Sequence, residues 1–114
     1  MQSHSDEFLE AIELREAGKY KQAQKRLGRI LQLDPRNAEA LSLLAHILLL
    51  DKKEAEAESA LTAAASINSK LPSIYRNQAR LLLNQSKTAE ALEKAQLGYN
   101  QSQEDLESLQ VLAA

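Results

Sequence analysis

The chain has 114 residues and a mass of 12.6 kDa, the size of one compact unit. Its 26% charged and 44% hydrophobic residues are ordinary soluble composition and exclude a disordered tract. A net charge of -2 without an extended basic stripe argues against a nucleic-acid binder, and the absence of cysteine excludes a disulfide framework, a thiolate metal site and a thiol nucleophile.

The apolar residues are mainly Leu and Ala, strong helix formers, and three glycines with two prolines are too few breakers for an all-β chain. Ser5 and Asp6 are placed to cap a first helix that runs to about residue 17. Phe8, Leu9, Ile12 and Leu14 supply its apolar side chains. Gly18 can take the positive φ that ends it. A second helix over about 20–33 carries Ala23, Leu27, Ile30, Leu31 and Leu33 at helical spacing. Asp34-Pro35 then closes the unit, because the residue before a proline is pushed out of the helical region. A third helix over about 38–51 is Leu-rich on nearly every side, which places it between neighbours. A fourth, alanine-dense helix covers about 54–67. Pro72 fits the N-terminus of a fifth, ending near 85. The turn 85–87 leads to a sixth helix over about 88–100, and the residues 101–103 precede a last helical segment over 104–114. The stretch 40–50 is too short to span a bilayer. The N-terminus lacks the basic and apolar regions of a signal peptide, so a cytoplasmic protein, or the soluble part of a larger chain, with no membrane contact is expected.

One frame recurs along this order. Ala11, Ala45, Ala79 and Ala113 stand 34 residues apart, as do Leu14, Leu48 and Leu82, and Ala23, Ala57 and Ala91. Leu27 and Leu61 match, with Ala95 third, and Leu41, Tyr75 and Leu109 form a large apolar column. Several columns sharing one period mark a repeat architecture. An alanine column lets two helix backbones approach, and a larger residue there would collide. The larger columns fill the space between successive helix pairs, so that each pair is completed by its neighbours.

A 34-residue helix-turn-helix unit with this pattern resembles the tetratricopeptide repeat. The first repeat, 4–37, matches through Gly18, Tyr20, Ala23, Leu27 and Pro35. The second, 38–71, matches through Leu41, Leu44, Ala45, Leu48, Ala57, Leu61 and Ala64. The third, 72–105, matches through Tyr75, Ala79, Leu82, Ala91 and Ala95. The departures are Lys52 and Ser86 for the turn glycine, Ser69 and Gln103 for the late proline, Glu54 and Thr88 for the turn aromatic, and Glu7 for the early large residue. Leu106, Leu109, Leu112 and Ala113 repeat the spacing of Ala38, Leu41, Leu44 and Ala45. They read as the first helix of a fourth repeat, with a capping helix as the other reading. Terminal helices of solenoids normally carry a polar outer face, so a fragment of a longer chain is expected, its apolar end open to self-association. The resemblance thus implies an all-α fold, a right-handed solenoid of antiparallel helix pairs with about seven helices.

Catalytic chemistry finds no carrier. His4 and His46 lie in different segments without a ligand set, no G-x-S-x-G elbow is present, and Gly18, Gly28 and Gly98 are isolated from one another, so no phosphate loop forms. The carboxylates of Glu54, Glu56 and Glu58 and of Glu104, Asp105 and Glu107 read as solvated faces or helix-dipole complements. Lys19, Lys21, Lys25, Arg26 and Arg29 read as an outer face, with a patch for an acidic partner as the other reading. No enzyme, cofactor or metal is expected.

The resemblance also implies a curved stack whose first helices line a groove. Carried over position by position, the groove is Phe8, Ile12 and Arg15, then Ser42, His46 and Leu49, then Arg76, Arg80 and Leu83. Arg76 and Arg80, four apart, share a helical face and can hold a carboxylate; ordinary surface arginines are the plainer reading. Family members that clamp the C-terminal carboxylate of a chaperone do so with lysines, asparagines and an arginine. Phe8, Ile12, Leu43, Ser73 and Asn77 occupy those positions here, so binding of that kind is not expected. The implied function is a protein-interaction scaffold holding a peptide or helix in the groove. The alternatives are an accessory module of a larger bacterial enzyme, such as a glycosyl- or sulfotransferase, and a self-associating structural unit.

Overall fold

Six helices run through residues 4–113, which are the residues the computed structural model describes, with side chains described over 5–104. They are α1 (His4–Glu16), α2 (Tyr20–Leu33), α3 (Ala38–Leu50), α4 (Glu54–Ile67), α5 (Pro72–Asn84) and α6 (Thr88–Ala113). No strand occurs among the described residues. Each odd helix packs on the even helix that follows it, and α3 also packs on α2 and α5. The result is the all-α solenoid of helix pairs that the resemblance implies.

The three turns inside the pairs are one structure built three times. In the first, Gly18 N–H donates to Arg15 O and Lys19 N–H to Leu14 O. The same two bonds join Lys52 to Leu49 and Lys53 to Leu48, then Ser86 to Leu83 and Lys87 to Leu82. This pairing satisfies carbonyls that the helix end would leave orphaned, and it requires a left-handed residue at its centre. Gly18 takes φ 75°, and Lys52 and Ser86 each take φ 61°. The departures from glycine therefore change the residue without changing the turn. Between pairs the stops differ. Asn37 accepts from the Ala40 amide through its side chain and caps α3, whereas α5 has no side-chain cap and begins on Pro72.

The small columns are buried where the repeat pattern places them. Ala11, Ala45 and Ala79 are buried, and so are Ala23, Ala57 and Ala91. Another column runs Ile30, Ala64 and Gly98, all buried. A Cβ added at Gly98 would stand 3.0 Å from the Cβ of Tyr75, so the missing side chain sets how near α6 lies to α5. Two apolar clusters result, one spanning α1, α2 and α3 around Leu27, Ile30 and Ile47, the other spanning α3, α4 and α5 around Leu48, Leu61 and Ile74. Leu44 packs against both. Helix α3 belongs to each cluster, and this accounts for its leucine on nearly every side.

Four expectations are corrected. The chain forms six helices, not about seven, because α6 continues through 101–103 without a break. The earlier breaks between pairs have a proline within or directly after them, Pro35 and Pro72, and the turns inside pairs have a left-handed residue, while Gln101-Ser102-Gln103 offers neither to stop propagation. Ser5 and Asp6 lie inside the first turn of α1 and do not precede it. Leu33 has the spacing of the α2 stripe yet is 80% exposed at the helix end. Ala95 is exposed where its column partners Leu27 and Leu61 are buried, since no further helix pair covers that side of α6 among the described residues. The side chains of Leu106, Leu109, Val111, Leu112 and Ala113, on which the fourth repeat and the expected self-association rest, lie outside the described residues.

Candidate functional site: the groove along α1, α3 and α5

A depression of about 370 Å³ runs along α1, α3 and α5. Phe8, Ile12 and Arg15 line it from α1, Ser42 and His46 from α3, and Arg76 and Arg80 from α5. A second depression of about 720 Å³ adjoins it through His46 and Arg80 and includes Leu49. Of the nine residues expected to line a groove, eight thus border these two adjoining hollows. Leu83, 56% exposed, borders neither.

Three further sets of residues complete the walls. Glu39 and Leu43 come from α3, Leu71 from the junction before α5, and Ser73 and Asn77 from α5. Lys52, Glu54 and Asn84 line the adjoining hollow with Leu50. Their repeat positions were readable; their bonding was not. The Nδ2 of Asn77 donates to the Ser42 carbonyl at 2.8 Å and to Ser42 Oγ at 3.0 Å. Ser42 Oγ lies 2.8 Å from Ser73 Oγ, and Arg80 Nη1 donates to Asn77 Oδ1 at 2.6 Å. Ser42 and Asn77 are the buried polar residues of the described core, and each has its partner in the other, as burial requires. The chain of bonds fixes α5 against α3 and orients the Arg80 guanidinium from below.

The other wall is tied by Arg15. Its Nη2 donates to Glu16 Oε1 at 2.7 Å, and its Nη1 lies 3.3 Å from His46 Nδ1. A guanidinium can only donate, so His46 Nδ1 is the acceptor and the ring proton sits on Nε2. Burial, followed by the positive charges of Arg80 and Arg15, lowers the His46 pKa to about 4; Arg76 adds to this and Glu16 opposes it. His46 is therefore neutral at physiological pH. Burial and the neighbouring Arg76 and Arg15 likewise lower the Arg80 pKa. The groove is a place where cations crowd one another, in a chain whose net charge is -2. Such an arrangement is suited to holding an anionic or hydrogen-bond-accepting group. Among the described residues no cluster of three or more His, Asp or Glu has metal-binding geometry.

A family model described as tetratricopeptide repeat matches residues 14–81, more than half of the chain. No curated protein sequence matches it. Among solved structures the fold is similar to a chain in the structure of Naa15/Naa10 bound to HypK-THB, with 22% identity and a TM-score of 0.78. That match covers 86% of this chain and 15% of the other, so the present chain spans a small part of that protein's length. It is also similar to the type III secretion translocator chaperone SycD of Yersinia enterocolitica, with 20% identity, a TM-score of 0.76, and 86% and 73% of the two chains covered. The structure of MamA MSR-1 C2 matches at 16% identity and a TM-score of 0.70, over 90% and 59%. At these identities the likeness concerns the fold.

Proposed function

Because the chain belongs to the tetratricopeptide repeat family, we propose that it is a non-catalytic protein-interaction module, holding a peptide or helix of a partner protein in the groove along α1, α3 and α5. The observation that carries this reading is convergence. Side chains from three helices, each one repeat apart in sequence, meet around one hollow that combines apolar Phe8 and Ile12 with polar His46, Arg76 and Arg80. Apolar lining with a few placed polar groups is what an extended segment needs for affinity and for register. The solved neighbours support it by their descriptions, one being bound to HypK-THB and another a translocator chaperone. Repeats at 4–37, 38–71 and 72–105 would form the scaffold. The proposed place of action is the cytoplasm, and no described helix is long and apolar enough to cross a membrane.

The test is selection of binders from a random peptide display library against the chain, followed by NMR shift mapping of a selected peptide. The expected result is perturbation of Ile12, Ser42, His46 and Asn77. Failure to select any peptide, or perturbation confined to the outer faces of α2 and α4, would sink the reading.

A further inference from the structure

We propose that Arg15, Arg76 and Arg80 form a subsite for the Asp and Glu side chains of an acidic partner segment, an assignment that rests on the groove reading above. Three guanidiniums line the groove against one carboxylate, that of Glu39. Arg15 is paired with Glu16. Arg76 and Arg80 make no ion pair among the described residues, although the chain carries 16 Asp and Glu against 14 Lys and Arg. Gathering like charges with so few counter-ions is unfavourable, and Arg76 and Arg80 stand at the surface, where packing does not demand it. A ligand carboxylate would relieve that repulsion.

The geometry is prepared for such a ligand. A guanidinium has five N–H donors, and the bond to Asn77 takes one from Arg80 while fixing its plane. Asn77 is held in turn by buried Ser42, so the donor is oriented before a ligand arrives. Arg76 lies one helical turn away on the same face of α5, and Arg15 reaches in from α1 beside His46. A planar fork of this kind matches a carboxylate with two parallel bonds. Three cations spread over two helices exceed what one chain-terminal carboxylate neutralises, which favours a run of acidic side chains as the occupant.

The experiment reads the composition and behaviour of the peptides selected above. Asp and Glu should be enriched among binders. A synthetic copy of a selected peptide with its acidic residues changed to Asn and Gln should bind about tenfold more weakly or worse, as expected for loss of charge-assisted hydrogen bonds. The Arg76→Gln/Arg80→Gln chain, its helix content checked by circular dichroism, should weaken the acidic peptide by a similar factor and leave its neutral copy unaffected. Amidating the peptide C-terminus should change nothing. Binders without acidic enrichment, or an affinity indifferent to the double substitution, would overturn the carboxylate subsite while leaving the groove reading intact. Binding abolished by amidation would replace side chains with a terminal carboxylate and refute the proposal as stated. Selection of no binder would end both.

Discussion

Lys52 and Ser86 occupy a backbone conformation that suits glycine, and their sequence positions show why. They stand 34 and 68 residues after Gly18, at turns with the same two hydrogen bonds. A β-carbon at positive φ costs about 1 kcal/mol, so Lys52→Gly and Ser86→Gly should each raise stability by about that much. Gly18→Ala should lower it comparably, with urea unfolding midpoints as the readout. The sequence marked these positions as departures from the repeat; the shared hydrogen bonds and positive φ show that the turn geometry persists. His46 gives a second residue-level prediction. Its pKa is about 4 in the folded chain against an ordinary 6.5, so between those values the unfolded chain takes up a proton that the folded one refuses. Stability should therefore fall as pH drops from 6.5 towards 4, and this contribution should be flat above 6.5. The neighbours that set it are Arg80, Arg15 and Arg76, with Glu16 opposing. Since the ring is only half-buried, the expected loss is about 1–2 kcal/mol after allowance for solvent screening. His46→Asn should abolish it, seen as a difference in unfolding free energy between the two proteins that shrinks on acidification. A constant difference across that window would refute the assignment.

The helices themselves were legible because two signals agree: an apolar period of about 3.6 residues and punctuation by Gly18, Pro35 and Pro72. Where punctuation fails, at 101–103, the period alone divided into two helices what the chain builds as one. The candidate groove's positions followed from the resemblance to the tetratricopeptide repeat, and a fixed 34-residue register carries each of them onto the next repeat. Its internal wiring was not. The bond from Asn77 to Ser42 spans 35 residues and depends on side-chain rotamers, about which helical period says nothing. The same register supports a packing prediction. Ala45 is wholly buried in the cluster shared by α3, α4 and α5, so Ala45→Leu should destabilise by about 1–3 kcal/mol through overpacking. Ala95 sits where Leu27 and Leu61 stand in the earlier pairs, yet it is exposed. Ala95→Leu should fall within about 0.5 kcal/mol of the parent, as surface substitutions usually do. Thermal or chemical unfolding of the two variants separates burial from mere presence in a repeat column.

At the scale of the molecule, what matters is that neither apolar cluster belongs to one helix pair. One joins the first pair to α3 and the other joins the second pair to α5, so stability is held largely at the junctions, as a stack of nearest neighbours requires. The last pair has a junction on one side only among the described residues, and Leu92, Leu97 and Tyr99 of α6 are exposed. Ile74 is the side chain of α5 most deeply set in the second cluster, at 1% exposure. Ile74→Ala should cost about 2–5 kcal/mol, a large share of the about 5–15 kcal/mol that holds a domain folded. In a nearest-neighbour stack that loss is not spread evenly. Native-state hydrogen exchange should show amides of α5 and of α6 as far as Gln103 losing protection together, while those of α1 and α2 keep most of theirs, because their own junction at Leu27, Ile30 and Ile47 is untouched. Leu27→Ala should invert the pattern. If Ile74→Ala instead lowered protection equally in all six helices, the pairs would be folding as a single cooperative core and α3 would not be the hinge between two separable halves. The outcome bears on the groove as well, since its walls come from both halves: a partner segment touching Arg15 and Arg80 at once would couple the two, and its binding should restore protection in α5 of the Ile74→Ala chain.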